Sequence, residues 1–183
     1  MNNQLSPISW QVIFKKSAVW GVWLFLLAII QTSFFSVFRI FGAVPDLVLP
    51  AVLTIAIYDR ERAGIIAAIS GGYIADALGA VGLSLSPLIY MLCACAAALL
   101  AYSVLRRDFL SWLICLTFSS IISLSASLIS AFALTGSAAF SFGHVFTRLI
   151  LPGFFASIIM GAPVYFLTKL IWLRFFDNRE MEG

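Results

Sequence analysis

The chain has 183 residues, of which 62% are hydrophobic and only 10% charged, and its formal net charge is +3. That length suits one domain, and a charged fraction well below the about 25% of ordinary soluble domains leaves too little polar surface for a fold in water. The small net charge gives no basis for nucleic-acid binding, so composition predicts an all-α integral membrane protein with lipid as its solvent.

The first apolar run, 17–38, is long enough to cross a hydrocarbon core, which takes roughly 17–25 residues. No small-residue cleavage site follows it, so it is expected to remain as an anchor. Gln31 in this run is a buried amide expected to donate an interhelical hydrogen bond. Arg39 and the stretch 42–45 end the span. Pro45 suits the first turn of a second helix, where its missing N–H costs nothing. Asp46 is expected to cap that helix and to be favoured by its dipole. The second run, 44–58, has 15 residues, about 22 Å of helix against a core of about 30 Å. It is expected to span by local thinning, or to be preceded by a dip of the chain around Pro45.

The charged segment Asp59-Arg60-Glu61-Arg62 separates the second run from the third, 63–83. At about 100° per residue, Gly64, Ala67, Ala68, Gly71, Ala75, Gly79 and Gly82 share one side of the third helix. Ile65, Ile66, Ile69 and Tyr73 take the other. A face of small residues lets another helix approach backbone to backbone, and the spacing leaves open whether that helix belongs to this chain or to a partner. Asp76 stands at the edge of the face, where a carboxylate at lipid depth costs at least about 2.5–3.5 kcal/mol. Arg39 and Arg148 are the basic residues on its side, and a pairing with one of them is expected.

A fourth run covers 87–105, with Ser86 expected as N-cap and Pro87 as first helical residue. The fifth, 109–134, carries Ser119, Ser123 and Ser127 four apart, with Ser120 and Ser130 nearby, all expected to bond back to their own helix. The sixth, 149–173, repeats the small-residue spacing at Gly153, Ser157 and Gly161, which reads as internal packing, and contains a helix break at Pro163. The longest connection, 135–147, has 13 residues, too few for a soluble domain.

With six spans and both termini in the cytoplasm, Lys15, Lys16, Arg60, Arg62, Arg106, Arg107, Lys169, Arg174 and Arg179 lie inside. Only Arg39 and Arg148 lie outside. Nine of the 11 basic residues therefore fall on one side, as the positive-inside rule requires. No chemistry accompanies these spans. Cys93, Cys95 and Cys115 form neither a disulfide framework nor a metal spacing, and His144, the sole histidine, sits in an outer loop. Asp59 and Asp76 are about 20 Å apart by helix rise, too far to share a proton as an aspartyl pair does. No catalytic residue, cofactor or metal is expected.

Gln31, then Pro45-Asp46-Leu47, then Gly64 after a charged turn, then the run from Gly71-Gly72 through Asp76 to Gly79 and Gly82, resemble the rod-shape-determining protein MreD family. The last span, with Pro163 and a basic exit at Lys169 and Arg174, is similar too. The likeness covers most of the chain and rests on the order and spacing of short motifs. Ala77-Leu78 departs from it, since bulkier residues commonly follow the Asp. The resemblance implies a non-catalytic component of the bacterial inner membrane that serves cell elongation. It would bind MreC, a single-span protein, and act with the filament protein MreB and the wall-synthesising glycosyltransferase and transpeptidase in lateral peptidoglycan synthesis. Gly64, Ala68, Gly71, Gly72, Ala75, Asp76, Gly79 and Gly82 would then form the partner-facing or structural set. The architecture also resembles the six-helix substrate-binding subunits of energy-coupling-factor vitamin transporters, the alternative function. Against it, the first span lacks their Ala-x-x-x-Ala docking motif and offers only Ala28, Thr32 and Ser36.

Overall fold

The computed structural model describes residues 10–37, 44–79, 85–103, 109–135 and 151–177, and these are helical apart from short connections. Helix α1 (Trp10–Ile29) continues through a π turn, Ile30–Phe34, and a short piece, Phe35–Val37. It is followed by α2 (Val48–Tyr58), α3 (Arg60–Gly79), α4 (Ser86–Ser103), α5 (Phe109–Thr135) and α6 (Leu151–Trp172), the last running on into a π turn, Leu173–Asp177. Two stretches, Lys15–Phe34 and Leu151–Phe175, are long and apolar enough to cross a membrane, and the other four helices hold shorter apolar segments.

Helix α2 is the centre of the bundle. Its 11 residues carry no charge and every one of them is buried, as a helix apolar on all sides must be. It packs against each of the other five helices. Eleven residues make about 16 Å of helix, shorter even than the expected second run, because 44–47 is not helical. Neighbouring helices enclose α2, so its length need not match any bilayer. Pro45 lies three residues ahead of α2 rather than in its first turn. Pro50 takes the first-turn place instead, where no N–H is missed.

The remaining helices form a ring in which α1 packs on α3, α3 on α4, α4 on α5 and α5 on α6. Between α6 and α1, Trp23 Nε1 donates to Thr168 Oγ1 at 3.0 Å. A single residue, Asp59, joins α2 to α3, so Arg60, Glu61 and Arg62, expected in a turn, already belong to α3. Ser86 is likewise helical rather than an N-cap, since the Leu85 carbonyl already accepts the Ile89 N–H at 3.1 Å. Pro163 does not break α6. It sits exposed inside a continuous helix, where its cost is one missing backbone donor.

The small face of α3 receives a helix, and that helix is α2. A Cβ on Gly64 would stand 2.6 Å from Ala56 Cα, and one on Gly71 would meet Val48 Cγ1 at 3.1 Å. Ala67 and Ala68 on the same helix are buried too. The helix that meets α3 at Gly64 and Gly71, whose owner the spacing left open, is thus one of this chain's own. Gly72 makes a second close approach, with its Cβ position 2.5 Å from Pro87 Cα at the start of α4. Ala75 is half-buried and Gly79 exposed, while Gly82 lies outside the described residues. Ile66, Ile69 and Tyr73 are exposed on the opposite side. In α6, Gly153, Ser157 and Gly161 are all buried, which is the internal packing expected of them.

Gly64 and Gly21 offer a matched test. Nothing lies within 4 Å of a Cβ on Gly21, so Gly21→Ala should be neutral or stabilise by about 0.5–1 kcal/mol through helix propensity. Gly64→Ala should destabilise by about 1–3 kcal/mol, because two helix backbones must move apart. Thermal unfolding of the detergent-solubilised variants should show midpoints moving in opposite directions. Equal midpoints would contradict this packing of α3 on α2.

Candidate functional site

The polar side chains of the bundle gather at the two ends of α2. A helix leaves its first N–H groups without intrahelical partners, and at this end each is met by a side-chain oxygen. The Asp46 N–H donates to Ser157 Oγ at 3.0 Å and the Leu47 N–H to Gln31 Oε1 at 2.9 Å. The Val48 and Leu49 N–H groups both donate to Asp46 Oδ1 at 3.1 Å. Residue 50 is proline and has no N–H. Tyr90 then donates its hydroxyl to Asp46 Oδ2 at 2.6 Å. Helices α1, α4 and α6 thus each send one side chain to the head of α2.

Asp46 caps α2 as expected. Its carboxyl group accepts from two backbone N–H groups and a phenol at the positive end of the helix. Gln31 makes the expected interhelical contact, but as acceptor rather than donor, because α2 presents N–H groups at this end. The π turn that holds Gln31 also carries Thr32, which bonds back to Ala28 O at 2.9 Å.

Asp76 serves the neighbouring junction. Its Oδ2 accepts the Ser86 N–H at 3.2 Å, capping the start of α4. Arg39 and Arg148, its expected partners, lie outside the described residues. In α5, Ser125, which is not one of the serines singled out above, bonds back to Ile121 O. Ser120 does not: its Oγ is the buried side-chain polar atom left without a partner among the described residues. The side chains of Ser127 and Ser130 are outside the description.

The other end of α2 was not visible from the sequence. Asp59, read as a loop residue, is 5% exposed. Lys16 Nζ donates to its Oδ1 at 2.9 Å and Trp20 Nε1 to its Oδ2 at 3.0 Å, both from α1. A carboxylate at a helix C-terminus meets the negative end of the dipole, and here the Lys16 ammonium stands against it. Beside it the Tyr58 and Tyr165 hydroxyls share a hydrogen bond of 2.7 Å. Lys169 Nζ lies 5.6 Å from the centre of the Tyr58 ring and 5.8 Å from that of Tyr165. The sequence signal, a Lys-Lys pair one turn before two tryptophans, gives no hint of a partner 43 residues away.

This chemistry holds helices together. Among the described residues no group of three metal-ligating side chains occurs, and His144 is not among them. No family model, curated protein or solved structure matches the chain.

The Asp59 node can be tested by a double-mutant cycle. Lys16→Met strands a buried carboxylate and should cost about 3 kcal/mol, the low end of the range for broken buried pairs because Lys16 is itself part-exposed. Adding Asp59→Asn should recover most of that loss in a denaturation series. Additive losses from the two substitutions would show that no such pair is formed.

Proposed function

We propose that the chain is a six-span protein of the bacterial cytoplasmic membrane. It acts as a non-catalytic scaffold of the rod-shape elongation machinery, binding an MreC-like single-span protein and supporting lateral peptidoglycan synthesis alongside MreB and the glycosyltransferase and transpeptidase. Two observations support the membrane part of this reading. Large apolar side chains are exposed on each ring helix, among them Phe25, Ile66, Leu92, Phe118 and Phe166, a belt far beyond what a water-soluble monomer tolerates. The start of α1, the junction of α2 with α3 and the end of α6 also meet at one end through Lys16, Asp59, Tyr58 and Lys169, in keeping with a single basic, cytoplasmic side.

One observation carries the functional part: several of the residues on which the MreD resemblance rests seat α2 or fix the turn beside it. Gln31 and Asp46 cap it, Gly64 and Gly71 admit it, and Gly72 and Asp76 fix the neighbouring turn. Such a motif set specifies the shape of a bundle, which suits a scaffold. With the α3 small face filled by α2, a partner's span would meet the outer faces of the ring.

Two measurements test this. Cysteine labelling from outside intact cells should reach a cysteine at Ser141 and not one at Arg107; labelling at Arg107 would overturn the six-span topology. Purification in mild detergent should retain a single-span protein with a large extracytoplasmic domain, and depletion should make rod-shaped cells round. A tightly bound metabolite and a co-purifying ATPase pair, with cell shape unchanged, would instead favour the energy-coupling-factor transporter subunit.

A further inference from the structure

Helices α3 and α4 approach closely where Gly72 meets Pro87, and beside that contact lies a shallow groove of about 470 Å³ lined by Ile66, Ile69, Ser70, Tyr73 and Pro87. It opens outward, with Ile66, Ile69 and Tyr73 exposed. The wall is apolar even at Ser70, whose hydroxyl turns back to Ile66 O at 2.8 Å. It is also stiff, since isoleucine in a helix keeps largely to one χ1 rotamer and the proline ring fixes φ. Asp76 stands one turn beyond Tyr73, towards the end of α3 opposite the Asp59 junction. It is 9% exposed, and its Oδ2 accepts the N–H of Ser86, the chain neighbour of Pro87. Its Oδ1 makes no hydrogen bond among the described residues, although buried polar atoms ordinarily have a partner. An apolar groove thus ends at a carboxyl group with one oxygen to spare.

We infer that this groove receives the transmembrane helix of a single-span partner, whose Lys or Arg at the outer membrane boundary pairs with Asp76. The inference rests on the scaffold reading given above and names the ring face that the partner meets. Charge complementarity selects the occupant. An acyl chain would fill the apolar part and leave Asp76 Oδ1 unserved. A second copy inserted in the same orientation would present the same patch, as an isologous contact requires, and so would set Asp76 against Asp76 with no cation between them. A helix with one basic residue at its outer end answers both parts of the site. Lipid gives helices no hydrophobic drive to associate, so close packing and hydrogen bonds supply the affinity. A stiff groove also loses little side-chain freedom when it is filled.

The test uses the full chain, in native membranes and in mild detergent, with the single-span protein that the wild type retains as the probe. Asp76→Asn keeps an oxygen for the Ser86 N–H and removes the charge. It should weaken binding of that protein about tenfold, through loss of a hydrogen bond between charged groups. Ser70→Leu fills the groove and should weaken binding at least as much, whereas Phe118→Leu, on the exposed side of α5, should change nothing. A photoreactive residue at Ile69 should crosslink to the partner's apolar span, and that span should end outward in Lys or Arg. Replacing this basic residue by Gln should cost as much as Asp76→Asn, and no more when the two are combined; additive losses would overturn the pairing. A wild type that retains no single-span protein overturns the scaffold reading itself. A partner retained equally by every variant leaves that reading in place and overturns the docking site. Crosslinks from Ile69 that reach only lipid, or only a second copy of this chain, overturn it as well. Should Asp76→Asn not fold, Ser70→Leu and the Ile69 crosslink decide by the same outcomes.

Discussion

A helix enclosed on every side can satisfy the backbone groups at its ends only through its neighbours. The fold depends on this condition at α2. An unpaired buried N–H costs about 1–3 kcal/mol, and the head of α2 would expose four of them to an apolar interior. The serine of α6, the glutamine of α1 and the aspartate that precedes α2 remove all four, and a proline supplies no fifth. The π turn in α1 belongs to the same solution, because it holds the segment from which Gln31 reaches α2. Such turns recur where a side chain must meet a demand that a regular helix does not serve.

The two acids that bracket α2 show how differently one residue type behaves at opposite helix ends. At the head, two backbone N–H groups at the positive end of the dipole and the Tyr90 hydroxyl donate to the Asp46 carboxyl group. At the tail the dipole opposes Asp59, which is held by an ammonium and an indole from α1. Helix α1 is therefore fastened to α2 at both ends, by Gln31 at one and by Lys16 and Trp20 at the other, though it packs mainly on α3 between them.

Features set by neighbours in sequence were legible, and features set by distant pairings were not. The Asp46 cap follows from a Pro-Asp pair ahead of an apolar run. The close packing of α3 follows from glycines on one side of a helix, and its exposed side from Ile66, Ile69 and Tyr73. The identity of the helix against Gly64 could not be read, because a small face records only that something approaches closely. Helix α2 is shorter than the apolar run that contains it because 44–47 is not helical, its backbone N–H groups at 46 and 47 turning to Ser157 and Gln31 instead. Asp59 looked like a loop charge because its partners lie 39 and 43 residues away. Ser157 and Tyr90 gave no local sign that their hydroxyls belong to the second helix.

The central position of α2 also bears on biosynthesis. Its head is completed by Ser157 and its tail by Tyr165, contacts that span 111 and 107 residues of chain. Helices emerge from the ribosome in order, so α2 appears second and waits for the last helix before its ends are fully served. Through that interval it is an apolar segment joined to α3 by one residue. On the six-span reading, a nascent chain arrested before α6 carries an unfinished core whose exposed backbone must be sheltered by the insertion machinery. Truncations near the C-terminus are then failures of the centre of the protein rather than of its edge.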